Sequence, residues 1–286
     1  MRRVQKGFTL VELVITITLT TIVVSFMAMF ISGPVRAYND QGRRAELVDL
    51  AENSLRRIAR DIRHALPNSV RVSASGSVVA LELLNTVDGV RYRDRPPPGS
   101  PAERLQFASP DDAFNSVGSF TNITRPFSST AHYLSIYNVG VPGANAYELA
   151  NVITPPGTQI DIDADAIPGE DNVRISPAFR FAFPSPGQRV FLVDGAVTYL
   201  CDTSIGTLVR YSGYAITPDQ SDRNSDAELL AAGASSTLIT NRVNACDMGY
   251  APGTAQRAGL VSMSLAVADT GETVSLLHQV HVDNVP

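Results

Sequence analysis

Two hydrophobic patterns follow one another in the N-terminal part of the chain. The first is a run of uncharged, mostly apolar residues from position 13 to position 31. As a helix, these 19 residues would span about 28 Å, close to the roughly 30 Å hydrocarbon core of a bilayer. The run therefore predicts one membrane-spanning helix.

The second pattern is amphipathic and begins beyond Gly33-Pro34, where the proline should kink or loosen the helix. Apolar residues then recur at spacings of three and four, and charged residues occupy the remaining faces. The apolar positions are Leu47, Ala51, Leu55, Ile58 and Ile62. Pro67 is predicted to end the element. This half of the helix must bury its stripe, most simply against a sheet formed by the residues that follow.

After Pro67, short stretches rich in branched and aromatic residues alternate with Gly, Pro, Asp and Ser, which predicts β-strands. The predicted strands are 77–84, 133–139, 179–183, 190–193, 197–200 and 207–211. Two longer alternating stretches flank Asp269-Thr270-Gly271-Glu272, so residues 258–283 predict an antiparallel hairpin. Residues 95–101 hold four prolines and should be exposed and extended. Residues 219–234 predict a loop with a short helix.

The junction ahead of the apolar run carries the most specific signal. Residues 6–12 read Lys-Gly-Phe-Thr-Leu-Val-Glu, and the basic residues of the N-terminus all precede Gly7. Since no comparable basic cluster follows the run directly, the Lys/Arg bias predicts a cytoplasmic N-terminus and a periplasmic head. A plain signal anchor would have an apolar run of the same length with the same flanking charges. An ordinary secretory signal is a second alternative, but it is cut after its apolar core. Neither explains Gly7, Phe8 and Glu12 together.

This junction resembles the class III signal peptides of type IV prepilins. The resemblance implies that the family's peptidase cuts between Gly7 and Phe8, that the new amine of Phe8 is methylated, and that the mature chain keeps its membrane helix. In that family the glutamate matching Glu12 pairs with the α-amino group of a neighbouring subunit. A carboxylate near the apolar zone costs a few kcal/mol without a partner. In a monomer, Glu12 could instead extend to the lipid headgroups.

The predicted fold class is α+β, with the lollipop plan of pilins: a long N-terminal helix packed on an antiparallel β-rich head. We expect residues 1–7 to be a cleaved leader and 8–66 to form the helix, with 13–31 crossing the membrane. Residues 67–286 form the head. Its roughly 220 residues are enough for one β-rich domain with a sizeable core.

Two cysteines, Cys201 and Cys246, lie in the part predicted to be outside the cytoplasm. An oxidising compartment and an even count favour a disulfide between them. Closing a loop of that length would remove about 4 kcal/mol of unfolded-state entropy. The alternative is two buried free thiols.

Charge and motifs argue against two other classes of function. The formal net charge is −5, and loss of the three basic residues Arg2, Arg3 and Lys6 with the leader lowers it to −8. An acidic protein is poorly suited to nonspecific nucleic-acid binding, so no nucleic-acid partner is expected. The sequence holds no GxSxG, GxGxxG, P-loop or HExxH motif. We therefore expect no enzymatic activity and no cofactor.

One metal candidate remains, in the alternating carboxylates Asp161, Asp163 and Asp165, which begin like a calcium loop. The pattern then departs from that loop, with Ala166 where glycine is needed and Asn172 where a bidentate glutamate should close the site. A solvated acidic turn is the favoured interpretation. His278 and His281 are three apart on a predicted strand, so they point to opposite faces and are poor joint ligands.

Segments of the head resemble the MshO-type minor pilins of mannose-sensitive haemagglutinin (MSHA) pili. The segments are 183–191, 197–201 and 208–211, extended by Cys246, 257–261 and 281–286. The resemblance implies a low-abundance subunit that helps to initiate or cap a fimbrium. Its partners would be other major and minor pilins, a prepilin peptidase, an inner-membrane assembly platform with its motor, and membrane lipid before assembly. A type II secretion pseudopilin of the J type and a membrane-anchored exported binding protein remain as alternatives.

Overall fold

A computed structural model describes residues 7–253 and 258–282. Two α-helices and thirteen β-strands follow one another in this part of the chain. Their bounds are α1 Leu10–Arg63, β1 Arg71–Ser75, β2 Val78–Tyr92, β3 Asp111–Val117, β4 Phe127–Ser129, β5 Tyr133–Ser135, β6 Gln159–Ala164, β7 Asp171–Phe179, β8 Arg189–Asp202, β9 Thr207–Tyr214, α2 Asp226–Ala231, β10 Ser235–Thr240, β11 Val243–Ala251, β12 Gly259–Asp269 and β13 Glu272–Val282. Short 3₁₀ helices occupy Ala146–Glu148 and Gln220–Arg223.

Helix α1 is one continuous element that runs through Gly33 and Pro34, so the proline does not divide it. It ends at Arg63, where the backbone N–H of His64 donates to the carbonyls of Arg60 and Asp61. The helix is therefore shorter at both ends than the predicted span 8–66. It stops ahead of Pro67 because its last carbonyls are capped there, and the chain then enters the head.

The amphipathic half of α1 buries the predicted stripe. Leu47, Ala51, Leu55, Ile58 and Ile62 are all buried. Ser54 and Ala59 join them on the same face, and the Ser54 hydroxyl donates to the Leu50 carbonyl at 2.7 Å, so its polarity is satisfied inside the helix. This face packs on β12 and β13.

The strands form two sheets whose ladders are antiparallel. The larger has ten strands in the order β10-β9-β8-β2-β3-β7-β6-β4, with β1 added to β2 and β5 added to β8. The smaller is β11-β12-β13. The first hydrophobic core lies between the α1 stripe, the inner face of the small sheet and one face of β2 and β8. A helix packed on an antiparallel β-rich head confirms the predicted fold class.

Asp61 joins the end of α1 to the large sheet. Its carboxylate accepts hydrogen bonds from the Tyr199 hydroxyl and the Arg210 guanidinium, both at 2.8 Å. Burial and the neighbouring Asp61 charge raise the pKa of Tyr199, so it stays a neutral donor. The head is thus attached to the helix by a polar contact as well as by apolar packing.

The C-terminal hairpin was predicted correctly, and its turn has the expected geometry. β12 and β13 pair from Asp269 opposite Glu272 to Gly259 opposite Val282. The two turn residues, Thr270 and Gly271, have φ of 44° and 86°. Two consecutive positive φ values are the mark of a type I′ turn, which glycine favours.

Several other strand predictions were wrong in detail. The stretches 190–193 and 197–200 are one strand, β8, because Gly195, at φ 138°, lets the chain bulge and continue. The strand placed at 179–183 ends at Phe179, and 133–139 contains only the three residues of β5. Strands β1, β3, β4, β6, β10 and β11 were not predicted, and of β7 only the last residue was. Residues 95–101 contain no strand, and 219–234 hold a 3₁₀ turn and α2, as expected.

Candidate functional site

The predicted cleavage bond lies in non-helical backbone just ahead of α1. Gly7, Phe8 and Thr9 precede the first helical residue, and the Phe8 side chain is 71% exposed. The bond is therefore exposed and outside the hydrogen-bonded helix. Arg2, Arg3 and Lys6, the charged part of the predicted leader, lie outside the described residues.

Glu12 occupies the first turn of α1. Its backbone N–H donates to the Thr9 hydroxyl at 3.3 Å, which caps the helix, and its carboxylate is exposed. Acidic residues are favourable at this end of a helix because the backbone dipole is positive there. The next basic residue along the helix is Arg36, about 36 Å away at 1.5 Å per residue. Within the described part of the chain, α1 therefore offers Glu12 no cation within reach.

The surface that follows Glu12 is apolar and uncovered. Residues of the predicted span are exposed all round, and α1 is the one described helix long and apolar enough to cross a membrane. Hydroxyls interrupt this surface, but each donates to a carbonyl one turn earlier. These side chains are Thr16, Thr18, Thr20, Thr21 and Ser25. With their polar groups satisfied internally, the segment can pack against lipid or against other apolar helices.

The two cysteines meet in the first core. Cys201 lies on β8 of the large sheet and Cys246 on β11 of the small one, so the pair faces across the two sheets. Both are free thiols, with a hydrogen bond between them. That bond, followed by burial, raises the pKa of Cys246. The structure thus brings together the two residues predicted to pair, and the disulfide itself stays a prediction.

The acidic candidates for a calcium loop are not brought together. Asp161 accepts a hydrogen bond from Gln159 at 2.9 Å, and Asp163 forms an ion pair with Arg174 at 2.8 Å. Asp165 lies beyond the end of β6 and accepts from the backbone N–H of Ile167 at 2.8 Å. Over residues 7–253 and 258–282, no group of three or more His, Cys, Asp or Glu side chains is placed to hold a metal ion.

A buried acid that was not predicted, Glu82, lies on β2 opposite Arg71 of β1. Its side chain is fully buried, and it accepts from the Arg71 guanidinium at 2.7 Å and from the Tyr214 hydroxyl at 3.1 Å. Burial raises the pKa of Glu82 while the Arg71 charge opposes that shift. Arg71 also stacks on the Tyr147 ring. In the sequence, the sign that could have revealed this buried acid is that Glu82 is the single charged residue in the apolar run 78–84.

Comparison with protein families gives one match: residues 2–28 fit the prokaryotic N-terminal methylation motif. Comparisons with curated proteins and with solved structures gave no significant match. The motif is that of structural rather than enzymatic proteins. Together with the long apolar helix, it supports a type IV pilin-like protein, processed by a prepilin peptidase and associating with other pilins as a pilin or pseudopilin.

Proposed function

We propose that this chain is a minor pilin of the MshO type, which takes part in initiating or capping an MSHA-like type IV pilus. The observation that carries the proposal is Glu12, an exposed carboxylate at the start of an apolar helix that supplies no cation. A charge in that position is costly in lipid and useful in assembly, because a neighbouring subunit can neutralise it.

Processing and assembly are coupled in this mechanism. Cleavage between Gly7 and Phe8 creates an α-amine, which is then methylated and keeps its positive charge. Packing of apolar helices brings the Phe8 amine of one subunit to the Glu12 carboxylate of another. In a region of low dielectric this pair is far stronger than it would be in water. Subunits without a partner remain in the membrane.

The proposal includes a location. The chain crosses the inner membrane once, with its N-terminus in the cytoplasm and its head in the periplasm, and enters the pilus on assembly. Its partners are major and minor pilins, the prepilin peptidase and the inner-membrane assembly platform. What favours an MSHA-type pilus over type II secretion is the resemblance of residues 183–191, 197–201 and 208–211 to MshO-type heads.

Mass spectrometry of the mature N-terminus tests processing. We expect a chain that begins at Phe8 and carries an N-methyl group when it is made in cells with a prepilin peptidase. A chain that still begins at Met1 in such cells, or one cut after Ile31, would contradict the proposal.

Replacement of Glu12 by glutamine tests assembly. The two side chains have nearly the same shape, but the amide cannot form an ion pair with an ammonium group. We expect unchanged membrane insertion and clearly reduced co-purification with partner pilins. Glu103→Gln, on the exposed surface of the head, is the matched control. Equal partner recovery and equal piliation for Glu12→Gln and the wild type would show that Glu12 is only a membrane anchor.

A further inference from the structure

A pocket of about 300 Å³ lies where the end of α1 meets the large sheet. One part of its wall is the last turn of the helix with the residues that follow, and the other part comes from β2 and β8. This volume is at the lower end of the range for small-molecule sites. The polar side chains of the wall are Arg63, His64, Thr86, Asp88, Asn122 and Arg189.

Two arginines line this pocket, although the full sequence has a formal net charge of −5. Arg63 and the neighbouring His64 are exposed, and Arg63 forms no ion pair within residues 7–253 and 258–282. Arg189 contributes from the start of β8. Guanidinium groups bind carboxylates and phosphates through paired hydrogen bonds. The pocket is therefore suited to an anionic group.

The same pocket holds an acid, which restricts the kind of anion. The Asp88 carboxylate accepts from the backbone N–H groups of Gly89, Thr121 and Asn122, at 2.8, 2.6 and 2.7 Å. It is thus held in place and can accept further hydrogen bonds but not donate them. A phosphodiester has no hydroxyl to donate, so this carboxylate would repel it. A sugar has hydroxyls, which donate to a carboxylate and accept from arginine.

The Thr86 hydroxyl is a polar group of the wall that the head itself leaves unsatisfied. Its oxygen is buried and has no hydrogen-bond partner in the described part of the chain. Buried polar groups in proteins are nearly always bonded, so an exception calls for an explanation. A ligand hydroxyl is one group that would satisfy it. Asn122 uses its amide nitrogen to donate to the Val87 carbonyl at 3.1 Å, which leaves its amide oxygen as a further acceptor.

An aromatic ring completes the wall of the pocket. Phe191 is half-buried, and its Cδ1 atom would lie 3.0 Å from a Cβ atom added at Gly89. The ring therefore packs directly on bare backbone, and a side chain at position 89 would displace it. An apolar surface beside a few fixed polar groups is typical of ligand sites. It suits a sugar ring, which has C–H groups on its faces and hydroxyls at its edge.

The pocket continues into a second depression of about 450 Å³. The two share Gly89, Arg189 and Phe191, and Arg91 lines the extension. Arg91 is exposed, and its guanidinium donates to the neutral Gln188 side chain at 2.8 Å, so that contact leaves its charge unneutralised. A ligand longer than one sugar ring therefore has a continuous, positively charged path along β2.

The site lies at the end of α1 that is remote from the predicted membrane span. Arg63 is about 48 Å along the helix from Ile31, at 1.5 Å per residue. A large polar ligand therefore reaches the pocket without contact with lipid. Because the pocket is formed by the head and the end of the helix, this inference does not depend on the proposed function.

We propose that this pocket binds an acidic sugar, one that carries a carboxylate, as a unit of an oligosaccharide. Arg63 and Arg189 bind the carboxylate, Asp88 and Thr86 bind hydroxyls, and Phe191 packs on one face of the ring. A neutral sugar would leave the two arginines without a counter-charge. A phosphodiester would meet Asp88 with no hydroxyl to offer it.

Calorimetric titration of the full-length protein in micelles tests the class of ligand. Sialyllactose and lactose differ by one acidic sugar, and trigalacturonate and maltotriose form a second pair. Each acidic sugar should bind about tenfold more tightly than its neutral counterpart, and added salt should weaken its binding. Inorganic phosphate and a short oligothymidylate are the probes for phosphate recognition. Tighter binding of either phosphate probe, equal binding of the neutral sugars, or no binding of both acidic sugars would overturn the proposal.

Replacement of Arg63 by glutamine tests the position of the site. Because the side chain is exposed, Arg63→Gln should leave the fold intact and lower the affinity for the acidic sugars about tenfold. Arg57→Gln is the matched control, since Arg57 is exposed on the same helix and does not line the pocket. Equal affinities for the two variants would show that the acidic sugar binds elsewhere.

Replacement of Thr86 by valine separates binding from folding. The two side chains have nearly the same shape, and the change removes a buried hydroxyl without a partner, so the Tm should not fall. The affinity for the acidic sugars should nevertheless fall about three- to tenfold. This combination cannot come from a damaged head. An unchanged affinity would contradict the part assigned to the Thr86 hydroxyl.

Discussion

Glu12 differs from every other residue between Gly7 and Val35 in carrying a charge. A residue of this kind can be recognised from sequence, because an isolated carboxylate in an apolar run raises the free energy of membrane insertion unless a cation offsets it.

The two cysteines could be predicted only in part. Their number and compartment predicted a bond, but only the fold shows that Cys201 and Cys246 lie on two separate sheets. A bond between them would therefore fix the small sheet, and with it α1, against the large one.

At the residue scale, the exported protein should contain a Cys201–Cys246 disulfide. Peptide mapping under non-reducing conditions is expected to recover the linked pair. Cys246→Ser should then lower the free energy of unfolding by about 2–5 kcal/mol, because the loop between the residues is no longer closed in the unfolded state. Ser262→Ala, on the neighbouring strand β12, serves as a control. Complete labelling of both thiols in native exported protein would contradict this expectation.

At the scale of elements, a helix or strand could be predicted when its pattern of apolar and polar residues repeats over a long stretch. The α1 stripe and the final hairpin repeat their patterns over many residues, so both were found. β6 was missed because its alternation of Ile160 and Ile162 with Asp161 and Asp163 also fits the start of a calcium loop. The structure buries the two isoleucines and directs the aspartates outward, as a strand with one solvated face requires. Pairing with the neighbouring strands β4 and β7 distinguishes the two interpretations, and of these two strands only Phe179, the last residue of β7, was predicted.

Truncation of the α1 stripe should destabilise the head. Ile58 is fully buried between α1 and the small sheet, so Ile58→Ala is expected to cost about 2–5 kcal/mol through lost burial and a cavity. Asn53→Ala, on the exposed face of the same helix, should change stability by less than about 0.5 kcal/mol. Urea unfolding of the full chain in micelles, followed by tyrosine fluorescence because tryptophan is absent, measures both. Similar losses for the two variants would contradict the packing of α1.

At the scale of the whole molecule, residues 7–253 and 258–282 form an apolar stalk without internal partners and a head with three hydrophobic cores. The stalk and the antiparallel head could be predicted from sequence. The ten-stranded sheet could not, because its order places β2 beside β8, more than a hundred residues later in the chain. Such long-range pairing leaves no periodic signal in one sequence. The Arg71–Glu82 pair itself spans the neighbouring strands β1 and β2, but the Tyr214 and Tyr147 side chains that contact it come from distant parts of the chain.

The Arg71–Glu82 pair connects β1 and β2 to the segment after β9, since Arg71 also donates to the carbonyls of Thr217 and Pro218. Glu82→Leu should cost about 3–5 kcal/mol, because it leaves the mostly buried arginine without a counter-charge. Adding Arg71→Met should recover part of that loss. Calorimetric unfolding of the four members of this double-mutant cycle provides the measurement. A zero coupling energy would show that the pair contributes nothing beyond its separate residues.

The packing of α1 on β12 and β13 also has a consequence for the order in which the protein is made. The hairpin that covers the stripe lies far beyond α1 in the chain, so the helix is synthesised before its cover exists. Until residues 259–282 arrive, Leu47, Leu55 and Ile58 lack their native cover and are open to wrong contacts. A chain that stops before the hairpin therefore leaves the apolar stripe of α1 exposed. Pairing of β12 with β13 over α1 is therefore the step that completes the first core.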